Sequence, residues 1–415
     1  MLTLTNTSLS AVVAALSDAL DLVGVDDLAH GKRVGIMAAQ CGKALGWDID
    51  ECRFLLDLGL LHDIGVSSTQ THQHLLLEFD WENSQDHATR GYALLKDFVP
   101  LARLAVPIRF HHTRWDRLKN LIGQDVTECE ALEANLIFLV DRVDTFAAPF
   151  YAGGTLFEHT EEIRERVRSV SGSYFSPTLV EAFLVASVSE AFWLSLEPRA
   201  IRLALSEHVA RSGLQELDNA SLLQLAKIFA RIVDAKSRFT HEHSEGVTRL
   251  AVHLAQQLGL PPAASARLEI AGLLHDLGKL RIPDEILDKA GPLDAHERHV
   301  MNTHSYETYQ ILAGIPGFEE IAQIAAYHHE VPDGTGYPFH LHGAALSREA
   351  RILRVADIFQ ALAQNRPYRA GLSAEEIQAE LKRLVAAGKL DADIVDAATR
   401  DMAAAMRAAT SQSIG

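Results

Sequence analysis

The chain has 415 residues and a mass of 45.5 kDa, more than the roughly 100 to 200 residues of one domain, so two domains are expected. Hydrophobic residues at 48% and charged residues at 22% exclude a disordered, collagen-like or low-complexity chain. Lys and Arg number 38 against 55 Asp and Glu, a net charge of −17 that argues against a long polyanion such as duplex DNA as partner.

In chain order, the opening MLTLTNTSLS has no basic stretch leading into an apolar one, and the most apolar long stretch, Ala182 to Leu196, is broken by Ser187, Ser189 and Glu190. Neither a signal peptide nor membrane insertion is expected. Apolar residues recur at helical spacing in LSAVVAALSDALDLV (9–23), SLLQLAKIFARIVDA (221–235), VTRLAVHLAQQLGL (247–260) and RILRVADIFQALA (351–363), while strand-like alternation is hard to find. Breakers at Gly259 to Pro262, Pro283, Gly291-Pro292 and Pro332 to Pro338 fall at helix ends. The expected fold class is all-α. Glu197 to Asp218 keeps some helical pattern and reads as a helical connector. Cys41, Cys52 and Cys129 are odd in number and lack CxxC spacing, which fits a reducing cytoplasm better than a disulfide framework or a thiolate zinc site.

The sequence repeats itself. At an offset of 213, His30 pairs with His243 and GLLHDIG (59–65) with GLLHDLG (272–278). The offset drifts to 217 where His87 meets His304 and His111-His112 meets His328-His329, is 216 where Asp141 meets Asp357, and settles near 215 where YFSPTLVEAF meets KLDADIVDAA. A period this long makes each half a complete domain rather than one turn of a solenoid. The expected boundaries are 1–200 and 219–415, with 201–218 as connector.

The histidines carry the chemical argument. One histidine on an apolar face is usually a satisfied core residue. Here, however, His243, His275, Asp276, His304, His328, His329 and Asp357 recur in the first half as His30, His62, Asp63, His87, His111, His112 and Asp141. Packing alone rarely demands imidazole and carboxylate at the same places twice. Imidazoles and carboxylates bind borderline divalent metals such as Fe, Mn, Ni or Zn. Seven groups are too many for one ion with an open position but suit two ions sharing a carboxylate roughly 3.5 to 4 Å apart. Such a pair can lower the pKa of a bridging water to near neutrality and offset charge in an in-line displacement, which points to phosphodiester hydrolysis.

The second half also resembles the HD-GYP family of the HD-domain phosphohydrolases, over roughly 219–400: HDLGKLRIPDEIL (275–287), GPLDAHERHVMNTH (291–304), HHEVPDGTGYP (328–338) and RILRVADIFQALAQNRPYR (351–369). The resemblance implies an all-helical, bacterial enzyme that hydrolyses cyclic di-GMP or cyclic GMP-AMP to linear dinucleotide or mononucleotides. By position it gives His243, His275 and Asp357 to one metal and His304, His328 and His329 to the other, with Asp276 bridging them. Fe, Mn or Ni are the metals expected. Lys279, one turn beyond His275, would reach the scissile phosphate rather than be a solvated helix-end lysine. Tyr337 resembles the family's base-contacting tyrosine, and Arg366 and Arg369 would meet phosphate or the guanine edge. The sequence departs from the family at Phe239, where some members place a glutamate for a third metal, and at Gln360, Ala363, Ser305 and Thr308.

The first half keeps all seven ligand types but has Val66 in place of the lysine, no GYP turn in HHTRWDRLKN and no arginine near APFY. It is expected to retain metal capacity without turnover of the same substrate, as a structural domain or as a regulatory, sensory one. A non-catalytic tandem-HD signalling module that binds a nucleotide or a protein partner is the alternative to the enzyme. A diguanylate cyclase or other signalling protein is the protein partner to consider. Amphipathic helices near Ser8 and Ser221 leave a homodimer and intramolecular packing equally open.

Overall fold

The computed structural model describes residues 7–24, 29–66, 68–69, 84–211, 217–236, 243–364 and 370–410. Among them the protein is helical with no β-strand, as the periodicity implied; extended pairing is confined to the isolated bridges Ile122–Val126, Ser171–Phe175 and Asp333–His342. Among the described residues no helix is long and apolar enough to cross a membrane. The chain divides into two compact units, Ser8–Glu216 and Leu217–Gly415 with Met1–Thr7.

In the first unit, His30–Ala44, Ile49–Leu61, Ser84–Leu95, Ala102–Phe110 and the long Glu128–Tyr151 carry or flank the candidate ligands. Their apolar faces meet around the fully buried Phe98, Phe138, Phe175 and Phe183. The stretch read as a connector is helical over Pro198–Arg211. The second unit repeats the plan with His243–Gln257, Pro262–Leu274, Ala295–Ala313, Glu319–Ala326 and Arg348–Ala363, around Phe229, Phe318 and Phe359. Its last helix, Met402–Thr410, lies on His243–Gln257, where Arg249 Nε donates to the Ala408 carbonyl at 3.1 Å.

Helix starts coincide with capping residues. Ser8 accepts from the Ala11 N–H at 3.2 Å, and Thr127 with Glu130, Asp294 with Glu297 and Ser373 with Glu376 form reciprocal capping boxes.

The glycine of each HDxG run decides how close the ligand helices come. A Cβ on Gly65 would stand 2.0 Å from the His87 carbonyl oxygen, and one on Gly278 would stand 2.1 Å from that of His304. Only glycine lets the turn after the first His-Asp pair touch the backbone that bears the next histidine. The same contact changes the local path. Pro262–Leu274 ends with His275 as its C-cap, and Leu277–Arg281 continues as a 3-10 turn, so Lys279 is brought round by a tighter turn than the α-helical one its spacing suggested. Thr308 pins this turn by accepting from Gly278 N–H at 2.9 Å and donating to the His275 carbonyl at 3.1 Å.

Candidate metal centres

In the second unit three imidazoles are oriented by their own helices. Nδ1 lies 2.7 Å from the carbonyl three residues back in each case: Gly272 for His275, Met301 for His304 and Ala325 for His328. A carbonyl only accepts, so Nδ1 carries the proton and the Nε2 lone pair is left for the cavity. His243 is braced differently, with Nδ1 2.6 Å from Gln360 Oε1.

These lone pairs converge on Asp276. Its Oδ2 lies 3.5 Å from His243 Nε2 and 3.3 Å from His275 Nε2. Its Oδ1 lies 3.6 Å from His304 Nε2 and 3.9 Å from His328 Nε2. Asp357 Oδ1 is 3.4 Å from His243 Nε2, and the His329 ring is 5.1 Å from that of His304. The seven residues singled out in the sequence thus stand together around one buried carboxylate whose two oxygens face two sets of imidazoles.

The residues suit divalent ions. His275 Nε2, Asp276 Oδ1 and His328 Nε2 are buried with no hydrogen-bond partner, an arrangement that costs free energy unless something else meets them. His243, His275 and Asp276 offer ligand atoms within 4.8 Å of one another, as do His304, His328 and His329. Burial pushes His304 down to about 4 and, with the neighbouring rings, holds His328 and His329 well below the usual imidazole range, so these three imidazoles are neutral at pH 7. Burial works against the charge on Asp276, but the His275 ring and the Lys279 ammonium beside it outweigh it and keep the carboxyl well below its ordinary value.

Lys279 Nζ sits 2.5 Å from Asp276 Oδ2. Tyr337 stacks on His329, ring centroids 4.8 Å apart and planes inclined by 30°, and burial pushes its hydroxyl up. Arg366 and Arg369 lie outside the described residues, as does Phe239.

Several functional neighbours escaped the sequence reading. Glu330, fully buried, accepts from Phe339 N–H at 2.6 Å and Leu341 N–H at 3.0 Å and so clamps the turn that presents Tyr337. Gly336 completes that turn, since a Cβ there would be 2.4 Å from Val331 N. Arg354 donates to the His328 carbonyl at 3.2 Å from behind the site. The HHE run was visible in the sequence, but the two amides that its glutamate would hold were not.

The first unit repeats the arrangement around Asp63. Oδ1 is 3.3 Å from His87 Nε2 and 3.8 Å from His111 Nε2; Oδ2 is 3.5 Å from His62 Nε2 and 4.0 Å from His30 Nε2. His62 and His111 are braced by Gly59 and Ile108 carbonyls at 2.7 and 2.6 Å. His30 Nε2 is 3.3 Å from Asp141 Oδ1, and His30 Nδ1 is 2.8 Å from Asp144 Oδ2. Asp144 stands where the second unit has Gln360. It is held by Arg33 at 2.6 and 2.9 Å and by the Tyr151 hydroxyl at 2.6 Å. Val66, in the place of Lys279, is buried.

Comparison with known proteins agrees with this duplication. A family model described as HD domain matches residues 28–145, and another with the same description matches residues 227–394. A 3'3'-cGAMP-specific phosphodiesterase 1 of Vibrio cholerae is 38% identical over 402 residues, covering 95% of this chain and 92% of the relative. The cyclic di-GMP phosphodiesterase response regulator RpfG of Xanthomonas campestris is 37% identical over 177 residues, covering 42% of this chain and 46% of its own. The crystal structure of a cyclic GMP-AMP specific phosphodiesterase of V. cholerae (V-cGAP3) superposes with a TM-score of 0.65 at 25% identity, covering 97% of this chain and 98% of that one. The chain belongs to the HD-domain phosphohydrolases, with an HD domain in each half.

Proposed function

We infer that the protein is a metal-dependent phosphodiesterase acting on a cyclic dinucleotide, with its reaction centre in the second unit. The observation that carries this reading is the division of labour at Asp276: one oxygen toward His243 and His275, the other toward His304 and His328, with the Lys279 ammonium touching the same carboxylate. That arrangement suits two divalent ions, with Fe, Mn or Ni the candidates, flanking a shared bridge. When bound, such ions supply Lewis acidity toward a phosphoryl oxygen and a water acidic enough to attack at neutral pH.

The chain's own residues do the rest. His243, His275 and Asp357 form one ligand set and His304, His328 and His329 the other; the neutral imidazoles of the second set need shed no proton at pH 7. Lys279 presents a cation at the cavity, where a charge-assisted contact to the scissile phosphate is worth about 1.5 to 3 kcal/mol. Tyr337, backed by His329 and fixed by the Glu330 clamp, offers a rigid aromatic face for a base. The same equipment is missing around Asp63, so the first unit is read as a structural or regulatory partner rather than a second copy of the reaction.

The relative matched along nearly the whole chain makes 3'3'-cGAMP the first substrate to assay, with cyclic di-GMP beside it. Product chromatography on metal-loaded wild type and on Asp276→Asn tests the proposal. Linear dinucleotide or mononucleotides are expected from the wild type and none from the variant. Intact cyclic substrates with a fully loaded wild type would instead leave a binding module.

A further inference from the structure

The two centres share ligand types and general plan but differ in how tightly one side is gathered. Around Asp63, the ligand atoms of Asp63, His87, His111 and His112 all lie within 4.8 Å of one another, a four-member set with no counterpart around Asp276 among the described residues. His87 Nε2 is 3.3 Å from both Asp63 Oδ1 and His111 Nε2, and His111 Nε2 is 3.8 Å from Asp63 Oδ1. A tetrahedral ion with bonds of about 2.0 to 2.1 Å places its ligand atoms about 3.3 to 3.4 Å apart. In the second unit His304 Nε2, the counterpart of His87, stands farther from its carboxylate, 3.6 Å from Asp276 Oδ1, while His328 at 3.9 Å matches His111. Asp63 Oδ1 and His112 Nε2 are buried without a hydrogen-bond partner, and the His87 and His111 rings are fully buried.

The other side of Asp63 is encumbered. Arg142, 2% exposed, directs its Nη2 and Nε to Asp141 Oδ2 at 2.8 and 3.2 Å. The residue after the matching Asp357 is Ile358, which brings no charge. A guanidinium on the carboxylate that would complete the second ligand set opposes a divalent cation there.

We propose that the first unit holds one divalent ion, closed in by Asp63, His87, His111 and His112 as a tetrahedral three-nitrogen, one-oxygen site, and that this ion serves the fold rather than a reaction. Four protein ligands leave no open position for water or substrate, and Zn²⁺ or another tetrahedral metal is the class it takes. The proposal is independent of turnover in the second unit and survives its failure.

Cobalt(II) is the probe, because a tetrahedral Co²⁺ site absorbs strongly in the visible and an octahedral one weakly. Apo full-length chain bearing His275→Ala and His328→Ala, which removes ligands from both sets of the second unit, should bind one equivalent of Co²⁺ with the strong band. Adding His112→Ala should abolish both the band and the stoichiometric binding. Adding Arg142→Ile instead should raise the stoichiometry from one to two. Two equivalents or none in the first variant, or a weak octahedral spectrum, overturns the proposal; a stoichiometry fixed at one with Arg142→Ile overturns the part assigned to Arg142. The strong band must also be present in Co²⁺-loaded wild type, and its absence there overturns the proposal even if the variants do not fold.

Discussion

Glu330→Gln isolates the clamp beneath Tyr337. The carboxylate accepts from Phe339 and Leu341 N–H groups at 2.6 and 3.0 Å in a fully buried position. The isosteric amide keeps one acceptor but turns an NH2 toward the other N–H, losing one charge-assisted bond at a cost of about 2 to 3 kcal/mol. His328 precedes the turn and is held by the Ala325 carbonyl and by Arg354, and the His329 ring packs on those of His304 and His328 as well as on Tyr337, so the cost falls mainly on the conformation that presents Tyr337. If the turn becomes only fractionally ordered, apparent substrate affinity drops by that fraction; 2 kcal/mol corresponds to a factor of up to about 30. Steady-state kinetics of metal-loaded protein on the preferred cyclic dinucleotide should show KM raised about 10- to 30-fold, kcat within a few-fold, and an unchanged metal content. An unaltered KM, or metal loss as the main effect, would refute the reasoning.

Other substitutions separate the remaining parts of the site. Lys279→Met should lower kcat/KM by about 10- to 100-fold, the equivalent of one charge-assisted contact, while elemental analysis finds the metal retained. Gln360→Asp places a carboxylate behind His243 as Asp144 stands behind His30, and chelator competition should read at least about tenfold tighter metal binding. His304 is neutral in the fold because burial pushes it down to about 4, whereas the unfolded chain takes up a proton near 6.5. Its contribution to the stability of metal-free protein is therefore complete above pH 6.5 and lost as the pH falls toward 4, about 2 kcal/mol at pH 5. Denaturant titrations should show the wild type losing about 2 kcal/mol more than His304→Gln between pH 7 and 5, beyond the fall that the other buried imidazoles, His328 and His329 among them, give both proteins.

What the sequence disclosed and what it concealed follow from the range of each interaction. Helix periodicity, capping boxes such as Thr127 with Glu130, and the HDxG glycines act over a few residues and are written in the local pattern. The ligand set was legible because it occurs twice, so that two diverged halves served as their own alignment. Partners distant along the chain were not legible. Glu330 reaches amides nine and eleven residues on, and Gln360 meets a histidine 117 residues away. Gln360, one of the departures from the family, supplies the acceptor that fixes the proton on His243 Nδ1. Nor does anything local in the sequence say that the Arg142 guanidinium turns back onto the preceding aspartate. Ser305 and Thr308, also departures, turn their hydroxyls to His304 Nε2 at 3.2 Å and to the HD turn.

The most direct test of the shared carboxylate is anomalous diffraction from crystals of the metal-loaded protein, collected at the absorption edge of the metal found by elemental analysis. The account predicts two peaks roughly 3.5 to 4 Å apart in the second unit, one on either side of Asp276. A single peak lying away from Asp276, or none in protein that still turns over substrate, would contradict it.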